Sequence, residues 1–291
     1  MNEIYRSLQE FINYIKNNGI YSKNTLLSYQ NDLKNFIEFL SANEVSKLNQ
    51  LSTKLIKKFM LYLGEKNLSP RSINRNLSAL RTFFNFLIFN DKIDHNPAEG
   101  IPSTKVPRRL VKYLDEKLLS GSLDKLRTKS DIFNDYVILE FLYGTGIRVS
   151  ELCSLKKSDV DFSNKLIKIF GKGNKTRFIP LVDSLVQLLK EYIKSNRNDS
   201  EYLFTNKKGG RLYPKYVERL TQKYLSKISV DGRVYPHLIR HTFATHLLKR
   251  GADIRSIKEL LGHENLDTTK IYTHVSIDHL KNVYKKSHPK S

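Results

Sequence analysis

The sequence predicts a mainly α fold with a small antiparallel β-sheet, divided into two domains. Three observations lead there. Apolar residues recur at three- and four-residue spacing through most of the chain, the mark of amphipathic helices. Two short apolar segments, LIKIF (166–170) and RFIPL (177–181), flank GKGNKT, a strong hairpin signal. The stretch HNPAEGIPSTKVPRR (95–109) breaks the pattern with three prolines, a glycine and little apolar content, as a linker does. The expected division is residues 1–94, a linker over 95–109, and residues 110–291.

The first domain reads as four helices. Ile4, Leu8, Phe11, Ile12 and Ile15 place one over 2–18, stopped by Gly19. Leu26, Tyr29, Leu33, Phe36, Ile37 and Leu40 place a second over 23–41, after Ser22 as N-cap. A third follows Ser52, with Leu55, Ile56, Phe59, Tyr62 and Leu63 on its apolar face. The fourth opens at Ser69-Pro70, a cap followed by proline at the first helical position. It carries Ile73, Leu77, Leu80, Phe83, Phe84 and Leu87.

The second domain opens with helices near 115–126 and 132–143, the latter ending at Gly144-Thr145-Gly146. A short helix follows Arg148, and then the hairpin. Further helices are expected over about 182–194, 214–228, 237–250 and 253–261, with a last one from about Ser276. No internal repeat or low-complexity tract interrupts this order.

The formal net charge is +21 and the pI about 9.8, which calls for a polyanionic partner, nucleic acid being the usual one. Lys54, Lys57, Lys58, Arg71, Arg75 and Arg81 lie on the polar faces of the first domain and are candidates for phosphate contact. The lone cysteine, Cys153, can form neither an intramolecular disulfide nor a thiolate cluster, and it sits in an apolar helical pattern as a core residue. No apolar run reaches the length of a membrane span, and MNEIYRSLQEF lacks the apolar core of a signal peptide. A cytoplasmic protein is expected.

The densest chemistry lies between Tyr235 and Val275. His237 and Arg240 are three apart on one helix and share a face. His263 follows in a Leu-Gly-His turn, and Tyr272 lies in IYTH. His237 and His241 are four apart, but Leu238 stands where a zinc protease needs glutamate, and no acidic cluster is near to complete a metal site. There is no Gly-x-Ser-x-Gly elbow for a serine hydrolase, and GKGNK lacks the spacing of a nucleotide-binding loop. No metal and no cofactor is expected. Singly, each candidate is ordinary: Tyr272 is one of 16 tyrosines, and Lys172 is a turn residue of the hairpin.

Together, GTGIRVSEL, the hairpin lysine of GKGNK, HLIRHTFATHLL and LLGHENLDTTKIYTHV occur in an order and spacing that resemble the tyrosine recombinases, and among them the Xer type, which resolves chromosome dimers. The resemblance spans nearly the whole chain. It implies that Arg148 and Arg240 are the two catalytic arginines, Lys172 the hairpin lysine, His237 and His263 the two histidines, and Tyr272 the nucleophile. Glu151 matches a supporting carboxylate. The chemistry suits these residue types. A phosphodiester repels nucleophiles by its own charge, and two forked guanidiniums can bind its non-bridging oxygens and stabilise the charge added in the transition state. A phenol with a pKa of about 10 needs a base or a positive field to attack at neutral pH, and Lys172 can protonate the leaving 5′ oxygen. The 3′-phosphotyrosyl ester keeps the bond energy, so rejoining needs no ATP.

The resemblance further implies a two-domain DNA clamp on double-stranded DNA, and a tetramer holding two duplexes through a Holliday junction. It also implies a C-terminal tail (about 276–291) that docks on a neighbouring subunit, where the residues alone leave open a tail folded onto its own domain, and a possible paralogous recombinase or septal DNA translocase as partner. An integrase of a mobile element usually adds an N-terminal arm-binding segment, and the chain shows none, which favours the Xer type. The alternatives are such an integrase, a type IB topoisomerase, or a catalytically silent DNA-binding protein on the same scaffold.

Overall fold

The structure, a computed structural model, describes residues 3–19, 21, 23–107, 112–171, 176–196, 198–262 and 274–289. The chain separates into two compact units, Met1–Arg109 and Leu110–Ser291, each with its own apolar core. It is mainly helical, with one three-stranded antiparallel sheet among the described residues.

The first unit holds α1 (Glu3–Asn17), α2 (Lys23–Ala42), α3 (Thr53–Glu65) and α4 (Pro70–Phe89). Ser52 and Ser69 cap α3 and α4 as their sequences indicate, accepting from the backbone N–H groups of Leu55 and Ser72. Phe11, Phe36, Phe59, Phe83 and Phe84 are fully buried at the centre, with the Phe36 and Phe59 rings edge-on at 5.0 Å. Burying each such ring contributes about 1.5–3 kcal/mol before entropy is counted.

Two sequence expectations change here. Of the candidate phosphate-binding cations, Lys54, Lys57, Lys58 and Arg71 are exposed, but Arg81 donates to the carbonyls of Ala98 and Ile101 and is spent inside the unit. Arg75 forms a bidentate pair with buried Asp32, both bonds at 2.8 Å. The stretch read as a linker is also partly packed: Ala98 and Ile101 belong to the first core, and Asn96 bonds the Asn85 side chain. Its few apolar residues are enough because Arg81 satisfies the carbonyls of Ala98 and Ile101.

The second unit starts with α5 (Glu116–Arg127), capped by Asp115, and α6 (Phe133–Thr145). Every residue from Asp135 to Thr145 is buried, so α6 is the central helix around which the others pack. It ends at Gly146, whose φ of 59° is left-handed and whose N–H closes onto the Leu142 carbonyl. A Cβ at Gly146 would lie 2.3 Å from the Phe243 ring, so glycine is required there twice over. Next come α7 (Val149–Ser154), then β1 (Val160–Asp161), β2 (Leu166–Phe170) and β3 (Thr176–Pro180) in the order β1-β2-β3. The register sets Ile167 opposite Ile179 and Ile169 opposite Arg177.

Helices α8 (Asp183–Ser195), α9 (Pro214–Leu225), α10 (Pro236–Lys249), α11 (Ile254–Leu261) and α12 (His274–Ser287) complete the unit. The expected helix 214–228 stops at Leu225 and finishes as a tighter turn over 226–228. Helix α10 lies against α6 and buries Leu238, Ile239, Phe243 and Leu247. Buried His246 joins it to Tyr143, whose hydroxyl bonds Nδ1 at 2.8 Å, and to the Leu114 carbonyl through Nε2 at 3.0 Å.

The sequence left two places open for the C-terminal tail, a neighbouring subunit or its own domain. In this chain it docks on its own unit. Leu280 and Tyr284 join the core, and the Tyr284 hydroxyl and His288 Nε2 both bond the Gly144 carbonyl. Arg250 donates to the His288 carbonyl at 3.0 Å. A helix that would be marginal alone is held by two apolar anchors and by a carbonyl at the end of α6 that needs partners. Tyr284→Ala will therefore destabilise the second unit by about 3–5 kcal/mol. Removal of residues 277–291 will lower its thermal midpoint further, measured by circular dichroism; a truncated chain melting with the full-length protein would rule this docking out.

Candidate active site

The candidate site is assembled where α11 ends. A helix leaves its last carbonyls without partners, and arginines from three different elements take three of them in a row. Arg177, on β3, donates from Nε to the Leu260 carbonyl at 3.0 Å. Arg240, on α10, donates from Nη2 to the Leu261 carbonyl. Arg148, the residue that opens α7, donates from Nη2 to the Gly262 carbonyl at 2.8 Å. The negative end of the α11 dipole lies where the cations gather.

Glu151 organises two of these arginines. Its carboxylate accepts from the Arg148 backbone N–H at 2.8 Å, half of a capping box at the start of α7, and from Arg148 Nη1 at 3.0 Å. Arg177 meets the same carboxylate with both terminal nitrogens, at 2.8 and 2.7 Å. Burial opposes ionisation of Glu151, but the Arg177 guanidinium and then the Arg148 groups outweigh it and hold the carboxyl below its usual range.

Arg240 is buried and also donates from Nη1 to the Gly146 carbonyl at 2.7 Å, tying the end of α6 to the end of α11. Burial, and next the charge of Arg148, push its pKa down to about 10, so it stays a cation at neutral pH. The Arg148 side chain is 39% exposed and can meet an arriving anion. His237 lies on the first turn of α10, exposed, one turn before Arg240. Beside it, His241 has its pKa lowered by burial and by His237.

Of the residues singled out from sequence, Arg148, Glu151, His237 and Arg240 are thus placed on elements that meet at the end of α11. Lys172, His263 and Tyr272 lie outside the described residues. Arg177 escaped the sequence reading, although one signal was present: an arginine on the inward side of a strand must have a buried partner. Among the described residues no group of three or more His, Cys, Asp or Glu could hold a metal ion, and no helix is long and apolar enough to cross a membrane.

The model of the phage integrase family matches residues 112–279, and that of the phage integrase N-terminal SAM-like domain matches residues 8–90. The chain belongs to the phage integrase family. It is a site-specific tyrosine DNA recombinase by class. The "Tyrosine recombinase XerC" of Oceanobacillus iheyensis is 37% identical, over 100% of this chain and 98% of that one. That of Thermodesulfovibrio yellowstonii is 40% identical, over 98% and 96%. Among solved structures, the Tn1549 transposon integrase in complex with transposon right end DNA shares the fold, with a TM-score of 0.74 at 23% identity, covering 96% of this chain and 98% of that chain.

Glu151→Ala would strand the buried Arg177 cation and should cost about 3–5 kcal/mol at neutral pH. Because the Glu151 carboxyl is held below its unfolded value, its contribution is complete above that value and fades as pH falls through the lower folded one. Urea denaturation of both proteins at neutral pH and at pH about 4 should show the gap narrowing in acid. A gap that stays constant would mean that the ionised carboxylate is not what stabilises the site.

Proposed function

We propose that this chain cuts and rejoins duplex DNA at a specific site through a 3′-phosphotyrosyl intermediate, with Tyr272 as the nucleophile. The observation that carries the reading is the seating of Arg240 and Arg148 on consecutive carbonyls, those of Leu261 and Gly262, immediately before His263 in sequence. Each guanidinium has five N–H donors, and the described residues occupy two of each side chain's, leaving donors for the phosphate. Two such forks fixed in place stabilise the charge that develops on the non-bridging oxygens without having to reorganise.

In this reading His237 accepts the Tyr272 proton as the phenolate attacks phosphorus, and Lys172 gives a proton to the departing 5′ oxygen. His263 donates a hydrogen bond to a phosphate oxygen. The reverse attack by a 5′ hydroxyl of another strand restores the phosphodiester and frees the tyrosine. Both steps exchange one phosphate ester for another, so the energy of the bond is kept.

The substrate is double-stranded DNA. The net charge of +21 supports it, as do the exposed Lys54, Lys57, Lys58 and Arg71 of the first unit. Exchange between two sites brings two duplexes together, and the assembly we assign is a tetramer that holds them, with a Holliday junction between the two strand exchanges. The biological task we assign is resolution of chromosome dimers in the cytoplasm, supported by curated relatives named XerC that align over the whole chain.

A labelled nicked duplex carrying a chromosomal recombination site, incubated without metal or ATP, tests the reading on denaturing gels. Wild type will carry label as a covalent adduct, and Tyr272→Phe will bind the duplex with unchanged affinity but form none. Arg148→Ala and Arg240→Ala should each slow adduct formation by about 10²–10³-fold, as loss of one oxyanion donor does. An adduct that survives in Tyr272→Phe would remove the nucleophile assignment.

A further inference from the structure

We infer that Arg177 is a positioning residue for strand cleavage, one that sets the Arg148 guanidinium and the end of α11 without touching DNA itself. The inference rests on the recombination reading above. Position 177 lies on β3 with its neighbours Phe178 and Thr176 half-buried and Ile179 in the core, so its side chain enters the interior, where 6% of it stays exposed. A cation so placed is costly unless it is paired with an opposite charge and hydrogen-bonded. Here each of the three guanidinium nitrogens has a partner: Nη1 and Nη2 take the two oxygens of Glu151, and Nε takes the Leu260 carbonyl.

Those two partners are the two supports of Arg148. Glu151 holds Arg148 Nη1, and the end of α11 holds Arg148 Nη2 through the Gly262 carbonyl. Arg177 thus joins both supports from behind and fixes their separation. Gly262 reports the same closeness. Its φ is 64°, and a Cβ there would lie 3.1 Å from Arg177 Cδ, 3.2 Å from Nη1 and 3.3 Å from Cζ. The left-handed turn that leads out of α11 toward His263 therefore rests against the Arg177 side chain. Lysine could keep the charge, but it cannot fork onto two carboxylate oxygens while also reaching a third acceptor from a fixed plane.

A purely structural ion pair would lower stability and leave the chemistry of the folded molecules alone. A positioning residue lowers the maximal cleavage rate instead, and its effect runs through Glu151. The test uses full-length Arg177→Lys, Glu151→Gln and the double variant on the nicked duplex, with single-turnover adduct rates measured across DNA concentrations beside thermal melts. Arg177→Lys should lower the maximal rate by roughly 10²-fold, the scale of a misplaced catalytic group, with half-saturation within about threefold of wild type. The double variant should be no slower than the slower single one, because both act on one unit. Arg177→Gln, which leaves Glu151 paired with Arg148, serves in the same assays if the lysine variant does not fold.

Wild-type cleavage rates in a folded Arg177 variant would overturn the inference. So would losses that multiply in the double variant, or a rate loss that matches the unfolded fraction. If wild type forms no adduct on the duplex while binding it, the recombination reading fails, and the inference with it.

Discussion

The second unit depends on the binding of arginine guanidiniums to the carbonyls that helices leave unsatisfied at their C-termini. A helix that ends in the interior presents acceptors that water cannot reach, and a guanidinium taken from water needs acceptors in several directions at once. Each requirement answers the other. Hydrogen bonds from a charged donor contribute about 1.5–3 kcal/mol each, against a desolvation cost of several kcal/mol per ion. Arg240 makes two of them, to Gly146 and Leu261, and so holds the ends of α6 and α11 together. Without it the Gly146 and Leu261 carbonyls would lose these partners.

The same economy creates an electrostatic site. Three guanidiniums gather at the end of α11 and only one carboxylate, Glu151, lies among them, bound by Arg148 and Arg177, so three positive charges less one negative leave a local charge of +2. That positive field exists before any phosphate arrives, and the structure bears its cost in folding, not in the reaction. The site is also graded in depth. Arg240 is buried at 5% exposure and acts as a fixed strut, whereas Arg148 is partly in water and can turn its remaining donors toward an anion.

Much of this was legible in the sequence, and the parts that were not share a cause. Helices α3, α4 and α5 could be read because Ser52, Ser69-Pro70 and Asp115 act locally, within one turn of the chain. Gly146 likewise marks the end of α6 by a backbone requirement of its own. Strand β1 is only two residues long and has no period to detect; it exists because β2 offers an edge to pair with. Arg81 and Arg177 look like surface cations by composition, and only the fold supplies the carbonyls and the carboxylate that bind them. The placement of the tail could not be decided from its few apolar residues, because the Gly144 carbonyl that gives Tyr284 and His288 a partner lies more than a hundred residues away. Arg148, His237 and Arg240 were legible as a set only through resemblance, since spacing alone does not bring α7 and α10 to one helix end.

The acceptors at the end of α11 belong to the main chain, and this governs how the site can change over time. Replacing Leu260 or Leu261 by another apolar residue leaves the carbonyls of both positions where they are, so drift at those positions is invisible to the arginines. Inserting or deleting a single residue within α11 is a different event. It turns every following carbonyl by about 100° around the helix axis and presents each guanidinium with the wrong group. The site therefore tolerates spelling changes in its most crowded helix but not a change in its length, and lineages descended from this protein should vary in the letters of residues 254–261 far more readily than in their number.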